Sequence, residues 1–229
     1  MKKLVILTGA GISAESGIKT FRDSDGLWEG HDVMEVASAE GYLKNPALVL
    51  EFYNQRRKQL LEVTPNKAHF NLAKLESDFN VEIITQNVDD LHERAGSTRI
   101  THLHGELLKA RSTGNEKNVL EWKKKLVLGN LCKKNYQLRP HIVWFGEMVP
   151  LLEKAIKITQ TADILVIIGT SMQVYPAASL VDYVKPNTPI YFIDPKPKVS
   201  VNDYNNFTII KDFASNGTNT LSMYLKRYK

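Results

Sequence analysis

Four short runs of β-branched and aliphatic residues, each ending abruptly in small or polar residues, constrain this chain most. Leu4-Val5-Ile6-Leu7 gives way to Thr8-Gly9-Ala10-Gly11, and Val81-Glu82-Ile83-Ile84 to Thr85-Gln86-Asn87. Ile164 to Ile168 leads into Gly169-Thr170-Ser171, and Ile190-Tyr191-Phe192-Ile193 into Asp194-Pro195. Nearly continuous apolar strands separated by helix-length segments predict an α/β fold with a parallel sheet covered by helices on both faces. Ligands of such sheets sit beyond the carboxyl ends of the strands, so the four polar clusters are candidates to line one crevice.

Two stretches between the strands differ in character. Residues 25–65 read as helical and polar, with an amphipathic segment from Ala47 to Leu61 and Pro65 beyond its end. Residues 107–138 carry few β signals, and a short helix is expected from Asn118 to Leu126. Both read as inserts forming a small lobe beside the sheet, within one domain spanning 1–229, and a cleft between lobes is a common ligand site.

Composition narrows the class. The longest purely aliphatic run, Ile164 to Ile168, is far short of the roughly 20 apolar residues a membrane span needs. Leu4 to Leu7 is too short for a signal-peptide core of about 7–15 residues. Cys132 is the only cysteine, which excludes an internal disulfide and a multi-cysteine metal site. A soluble, cytoplasmic protein of a reducing compartment is expected. Thirty Lys plus Arg against twenty-five Asp plus Glu give +5, spread along the chain. That balance argues against nucleic-acid binding and suits anionic small molecules or acidic substrates.

The strand ends carry the chemistry. Gly9-Ala10-Gly11-Ile12-Ser13-Ala14 fits the G-x-G-x-x-G/A fingerprint, in which small residues let backbone N–H groups approach a pyrophosphate where a helix opens. A tight strand-to-helix turn without a ligand explains the same residues. The second strand ending in an acid, expected about 20 residues on in a dehydrogenase, is replaced by Thr20-Phe21-Arg22-Asp23. In Thr85-Gln86-Asn87-Val88-Asp89-Asp90, amides and carboxylates suit a carboxamide or ribose hydroxyls, although helix capping accounts for one of them. His102 and His104 share a strand face by spacing, so either is a candidate general base. Arg139 to Glu147 is aromatic and β-prone, either a core-edge strand or an edge that pairs with an extended peptide.

Taken together these segments closely resemble the sirtuin family of NAD-dependent protein deacylases. The matches run from Gly9 to Ile18 with Phe21-Arg22, through Thr85 to Asp89, His104-Gly105 and Arg139 to Glu147, to Gly169-Thr170-Ser171 with Val174 and Pro176-Ala177. The resemblance implies a Rossmann-like large domain, a small lobe, and a cleft for NAD and an acylated-lysine protein or peptide. It assigns His104 as the catalytic base acting on a nicotinamide-ribose hydroxyl. It places Gln86, Asn87 and Asp89 around the ribose and nicotinamide. Gly9, Ala10, Gly11, Glu15, Thr20, Phe21 and Arg22 fall in the cofactor loop, and Gly169, Thr170 and Ser171 on the far side of the NAD site. Asp194 and Ala214 match more weakly as cofactor contacts. Val143, Phe145, Gly146 and Val174 match the acyl-lysine peptide channel. In the family reaction the acyl oxygen displaces nicotinamide at the ribose, and the products are free lysine and O-acyl-ADP-ribose.

A narrower resemblance joins Tyr53 and Arg56 to the subgroup that removes malonyl, succinyl and similar acidic acyl groups. Three apart on an expected helix, they share a face. Arginine binds carboxylates bidentately and tyrosine adds a phenolic hydrogen bond. As a bare sequence, Arg56 reads first as one more surface cation in a basic run.

Most sirtuins carry two Cys-x-x-Cys pairs around a structural zinc. Here Ser112 and Asn115 stand near the first pair and Cys132 alone near the second, so no zinc is expected. Asp194 stands where the family commonly has Asn. A mono-ADP-ribosyltransferase, an NAD glycohydrolase or a silent NAD-binding sensor are the alternative functions, separated by product. A monomer satisfies everything in the sequence, with no membrane or nucleic-acid partner.

Overall fold

The computed structural model describes residues 1–19, 27–28, 30–200 and 206–229; Thr20, Phe21 and Arg22 lie outside the described residues. The elements run β1 (Lys3–Thr8), β2 (Leu27–Trp28), β3 (His31–Asp32), α1 (Val33–Val36), α2 (Ala39–Lys44), α3 (Pro46–Glu62) and α4 (Lys67–Lys74). They continue with β4 (Asn80–Thr85), α5 (Leu91–Arg94), β5 (Ile100–His102), β6 (Gly105–Ser112), β7 (Asn115–Glu121) and β8 (Leu138–Ile142). The chain closes with α6 (Leu152–Gln160), β9 (Ile164–Ile168), β10 (Ile190–Ile193), β11 (Phe207–Ile210) and α7 (Ala214–Leu225).

The apolar runs form one parallel sheet in the order β11-β10-β9-β1-β4-β5. Successive side chains alternate between its two faces, and both faces are covered. Leu4 and Ile6 of β1 pack with Ala68 and Leu72 of α4 and Leu221 of α7. Val5 and Leu7 pack on the other face with Ala155 and Ile158 of α6 and with Leu180 and Val181. This is the covered parallel sheet expected from the strand pattern, with the Rossmann-like α/β architecture that the family resemblance implied.

A third cluster lies apart from the sheet. Val49, Phe52, Tyr53 and Leu60 of α3 meet Leu107 and Leu108 of β6, Ile142 of β8, and Trp144. Helix α3 starts where the sequence stops it starting earlier: the Asn45 side chain accepts from the Leu48 N–H, and Pro46 supplies a first residue that needs no N–H partner. The helix extends the expected Ala47 to Leu61 segment by one residue at each end.

Two local expectations fail. Asn118 to Leu126 does not form a helix: residues 115–121 are strand β7, antiparallel to β6 with Ala110 opposite Leu120 and Arg111 opposite Val119. Its helical propensity loses to ladder bonds and to burial of the following Leu126 against Leu50, Ala110, Cys132 and Leu138. Leu126 is then clamped to α3 by two bonds, its N–H to Asn54 Oδ1 at 2.8 Å and its carbonyl from Asn54 Nδ2 at 3.0 Å. The fingerprint after β1 also opens no α-helix. It forms two single 3-10 turns, Ala10–Ile12 and Ala14–Ser16, ended by Gly17 at φ +94°.

Candidate active site at the rim of the sheet

Strand register brings the polar clusters to one rim. Thr8 pairs with Thr85 and with Ile168, Ile168 pairs with Ile193, and Thr85 pairs with His102. Gly9, Gln86, Gly169 and Asp194 therefore leave the sheet side by side. Backbone bonds lock them there: Gly9 N–H to the Ile168 carbonyl at 3.0 Å, Gln86 N–H to Thr8 at 2.9 Å, and Gly169 N–H to Ile193 at 3.0 Å.

The glycines serve a purpose the fingerprint did not suggest. A Cβ on Gly11 would lie 2.6 Å from Gly169 Cα, so the smallness of residue 11 permits loop-to-loop packing. Its N–H donates to the Gly169 carbonyl at 2.8 Å, and with Gly9 also committed, two fingerprint amides are spent inside the protein. Glu15 accepts from the Ser215 N–H at 2.8 Å, which joins the loop to the start of α7 beside the buried Ala214. Asp194, 1% exposed, accepts from the Lys196 N–H at 2.8 Å.

At the centre of the rim, the Ser13 hydroxyl accepts from Asn87 Nδ2 at 3.1 Å and donates to Asp89 Oδ2 at 2.9 Å. All three are nearly buried. Burial raises the Asp89 carboxyl to about 6 against the bonds from Ser13 and the Leu91 N–H. Gln86 reaches past the end of β1 to the end of β9, donating to Thr170 Oγ1 at 3.2 Å, with Ser171 following. Ser13 carried no role in the sequence reading; its position inside the fingerprint was the available signal.

The two histidine candidates separate cleanly. Both ring nitrogens of His102 are engaged, Nδ1 donating to the Asn87 carbonyl at 3.1 Å and Nε2 meeting Glu93 at 2.7 Å. Burial works against the His102 imidazolium, and the bond and charge of Glu93 overcome it, raising the pKa. His104 donates from Nδ1 to the Gln86 carbonyl at 3.0 Å, because a carbonyl can only accept. That fixes the tautomer and leaves Nε2 a lone pair bound to none of the described residues. Burial lowers the His104 pKa, partly offset by the Gln86 bond, so the ring is neutral at pH 7.

Gly105 turns the chain directly after His104. It sits at φ +85°, and a Cβ there would lie 2.0 Å from the His141 carbonyl oxygen. Only glycine lets the chain enter β6 at that point. The His104 carbonyl accepts from the Val143 N–H at 2.9 Å, tying the histidine to the segment after β8.

That segment is less available for peptide pairing than its sequence suggested. The Phe145 N–H goes to the Ala37 carbonyl and the Trp144 N–H to Glu147, leaving the Gly146 N–H as the one amide of 143–147 outside these bonds among the described residues. Phe145 and Gly146 are exposed and Val143 half-buried. The Val174 carbonyl accepts from Ala178, and no hydrogen bond links Val174 to 143–147 among the described residues.

Tyr53 and Arg56 line one pocket together with Trp28, Leu60, Val88 and Leu107, and Asp89 stands in its wall. Tyr53 accepts from Trp144 Nε1–H at 3.0 Å, so its own hydroxyl hydrogen remains to donate. Burial raises its pKa and keeps it a neutral donor. The Arg56 guanidinium lies 5.0 Å from the Phe52 ring centroid.

At the end of β6, Ser112 Oγ lies 3.3 Å from Cys132 Sγ. Among the described residues no cluster of three His, Cys, Asp or Glu is arranged to hold a metal, and no helix is long and apolar enough to cross a membrane.

Comparison with known proteins gives this arrangement a lineage. The Sir2 family profile matches residues 9–176. An NAD-dependent protein deacylase of Helicobacter pylori (strain ATCC 700392 / 26695) is 67% identical, with 86% of each chain aligned. One of Bacteroides thetaiotaomicron is 53% identical over 98% of each. A Sir2 homolog–NAD complex superposes with a TM-score of 0.87 at 39% identity, covering 99% of this chain and 90% of that one. A Sir2 bound to acetylated peptide gives 0.80 at 28% identity, covering 96% and 92%. With the strand-end glycines, the Gln86-Asn87 segment and His104 all inside the matched span, the chain belongs to the Sir2 family.

Proposed function

We propose that this chain is an NAD-dependent protein-lysine deacylase that removes acetyl and, preferentially, succinyl or malonyl groups, releasing nicotinamide and O-acyl-ADP-ribose. We read it as one catalytic domain whose small lobe comes from about 25–65 and 107–138. The observation that carries the reading is a neutral histidine with one uncommitted nitrogen beside a buried Ser13–Asn87–Asp89 cluster.

The donor set suits a dinucleotide: Asn87 and Gln86 each keep an amide hydrogen beyond their bonds to Ser13 and Thr170, Ser13 holds Asn87 and Asp89 in place, and Asp89 offers a nearly buried carboxylate. When bound, NAD supplies an anomeric carbon that accepts the acyl oxygen as nicotinamide leaves. His104 Nε2 would take the proton of the nicotinamide-ribose hydroxyl as that oxygen bonds the former acyl carbon, with water supplying the oxygen lost when free lysine leaves. The Asn87 amide, held by its bond to Ser13, would meet developing charge without having to reorient. Trp28, Leu60 and Val88 exclude water around the acyl chain.

The acidic preference rests on the pocket shared by Tyr53 and Arg56. A carboxylate at its end meets a guanidinium and a phenol whose hydrogen is not spent elsewhere. Asp89 in the same wall repels an acidic ligand, and the Arg56 guanidinium in that lining opposes the repulsion. Incubation with NAD and acetyl-, succinyl- or malonyl-lysine peptides, followed by mass spectrometry, tests both parts. Free lysine peptide with equimolar nicotinamide is expected, fastest from the acidic acyl groups. ADP-ribosylated protein or free ADP-ribose as the main product would instead favour the transferase or glycohydrolase reading.

The lobe is proposed to stand without zinc, held by the β6–β7 hairpin, the Asn54–Leu126 pair of bonds and the contact of Ser112 with Cys132. Elemental analysis of the purified chain is expected to find far less than one zinc per chain; stoichiometric zinc lost together with the fold would reject this.

A further inference from the structure

Behind the rim lies a pair of imidazoles that the proposed chemistry does not use. His69 on α4 and His92 on α5 are both 0% exposed, with ring centroids 5.0 Å apart at 65°. Each has one engaged and one orphaned nitrogen. His69 Nδ1 accepts from the Asn66 N–H at 3.3 Å, which puts the neutral ring's hydrogen on Nε2, and Nε2 has no partner. His92 Nε2 lies 3.0 Å from Thr8 Oγ1, and its Nδ1 has no partner. Thr8 itself donates to Thr85 Oγ1 at 2.8 Å, so His92 Nε2 must be the donor to Thr8, and Nδ1 is a bare acceptor.

Two touching, buried rings thus present a donor without an acceptor and an acceptor without a donor. Buried polar atoms are seldom left so, and these two complement each other. We propose that His69 Nε2–H is hydrogen-bonded to His92 Nδ1, directly or through one buried water, completing a relay that positions Asn87.

The relay has a single direction: Asn66 N–H to His69, His69 to His92, His92 to Thr8, Thr8 to Thr85. Thr85 Oγ1 also accepts from the Asn87 N–H at 3.0 Å. At the other end, Asn66 Nδ2 donates to the Ile12 carbonyl at 2.7 Å and to Ser16 Oγ at 3.0 Å. The chain therefore joins the loop that carries Ser13 to the strand end that carries Asn87, the two partners of the bond at the centre of the rim. Every link except Asn66 and Asn87 is wholly buried. Both rings are kept neutral, His69 lowered by burial to about 4 against the opposing charge of Glu93. Burial holds His92 well below the ordinary imidazole value, with His69 on α4 and His102 on β5 adding to the effect. His69 and His92 are positioning residues, since neither touches the crevice.

The consequence for turnover rests on the deacylase reading, and the test separates the two. Thr8→Val keeps the side-chain shape and removes the hydroxyl that links His92 to Thr85. It is expected to lower kcat for nicotinamide release about tenfold while KM for NAD changes by less than about twofold, the cost of a small displacement of Asn87. Thr8→Ser restores the hydroxyl and is expected to stay within about threefold of the unsubstituted chain. Imidazole nitrogen NMR of the unsubstituted protein supplies a readout that needs no turnover. At pH 7 both rings are expected neutral with the hydrogen on Nε2, and the His92 Nδ1 shift displaced as for a hydrogen-bonded acceptor. A His92 Nδ1–H tautomer, a charged ring, or Thr8→Val with undiminished kcat overturns the relay. If the unsubstituted chain releases no nicotinamide, the deacylase reading fails while the nitrogen shifts still decide the hydrogen bonding.

Discussion

His104→Ala is expected to reduce kcat by about 10²–10⁴-fold, the usual contribution of a positioned general base, with NAD binding retained. The expectation follows from one hydrogen bond. Because Nδ1–H is spent on the Gln86 carbonyl, Nε2 carries the lone pair, and the ring cannot switch tautomer without losing that bond. Binding persists because the surrounding donors sit on other elements, Asn87 and Gln86 after β4 and Ser13 after β1. Single-turnover nicotinamide release alongside calorimetric NAD titration measures the two effects separately. Turnover surviving in His104→Ala would remove the histidine from the chemistry. The pH profile carries a sign as well. A base must be neutral to act, and burial lowers the His104 pKa, so the acid limb of kcat/KM is expected below the ordinary imidazole value of about 6.5.

Arg56→Met is expected to lower kcat/KM on succinyl-lysine peptide by about 10²-fold and on acetyl-lysine by no more than about threefold. Methionine keeps much of the aliphatic stem against the Phe52 ring and removes the charge, so the contrast reports the carboxylate contact. Tyr53→Phe should act in the same direction and more weakly, since it deletes one neutral donor and also leaves Trp144 Nε1–H without its acceptor. Equal losses on both acyl groups would show that Arg56 shapes the pocket without reading the acyl charge.

Pattern and tertiary structure divide this protein between them. The unbroken apolar run Leu4-Val5-Ile6-Leu7 was enough to foresee a strand buried on both faces, and the abrupt change to Thr8-Gly9 enough to foresee where it ends. Tyr53 and Arg56 were joined by the subgroup resemblance, and helical spacing, which is local, put them on one face. Asn118 to Leu126 was misread because its strand is held by β6, and a ladder partner is not written in the strand's own residues. The choice between His102 and His104 was open for the same reason. It turns on Glu93 reaching one ring and the Gln86 carbonyl taking a single nitrogen of the other.

By itself, then, the sequence determined what depends on neighbours along the chain: strand periods, the amphipathic helix, small residues at the strand ends and a lone cysteine. Only the tertiary structure decided what depends on neighbours in space. Parallel register aligned four strand ends into one rim, Gly11 and Gly169 met backbone to backbone, and Ser13 came between Asn87 and Asp89 across more than seventy residues. Burial then set the protonation of Asp89, His69 and His92. Desolvation is a property of the packed interior, and no single stretch of chain contains it.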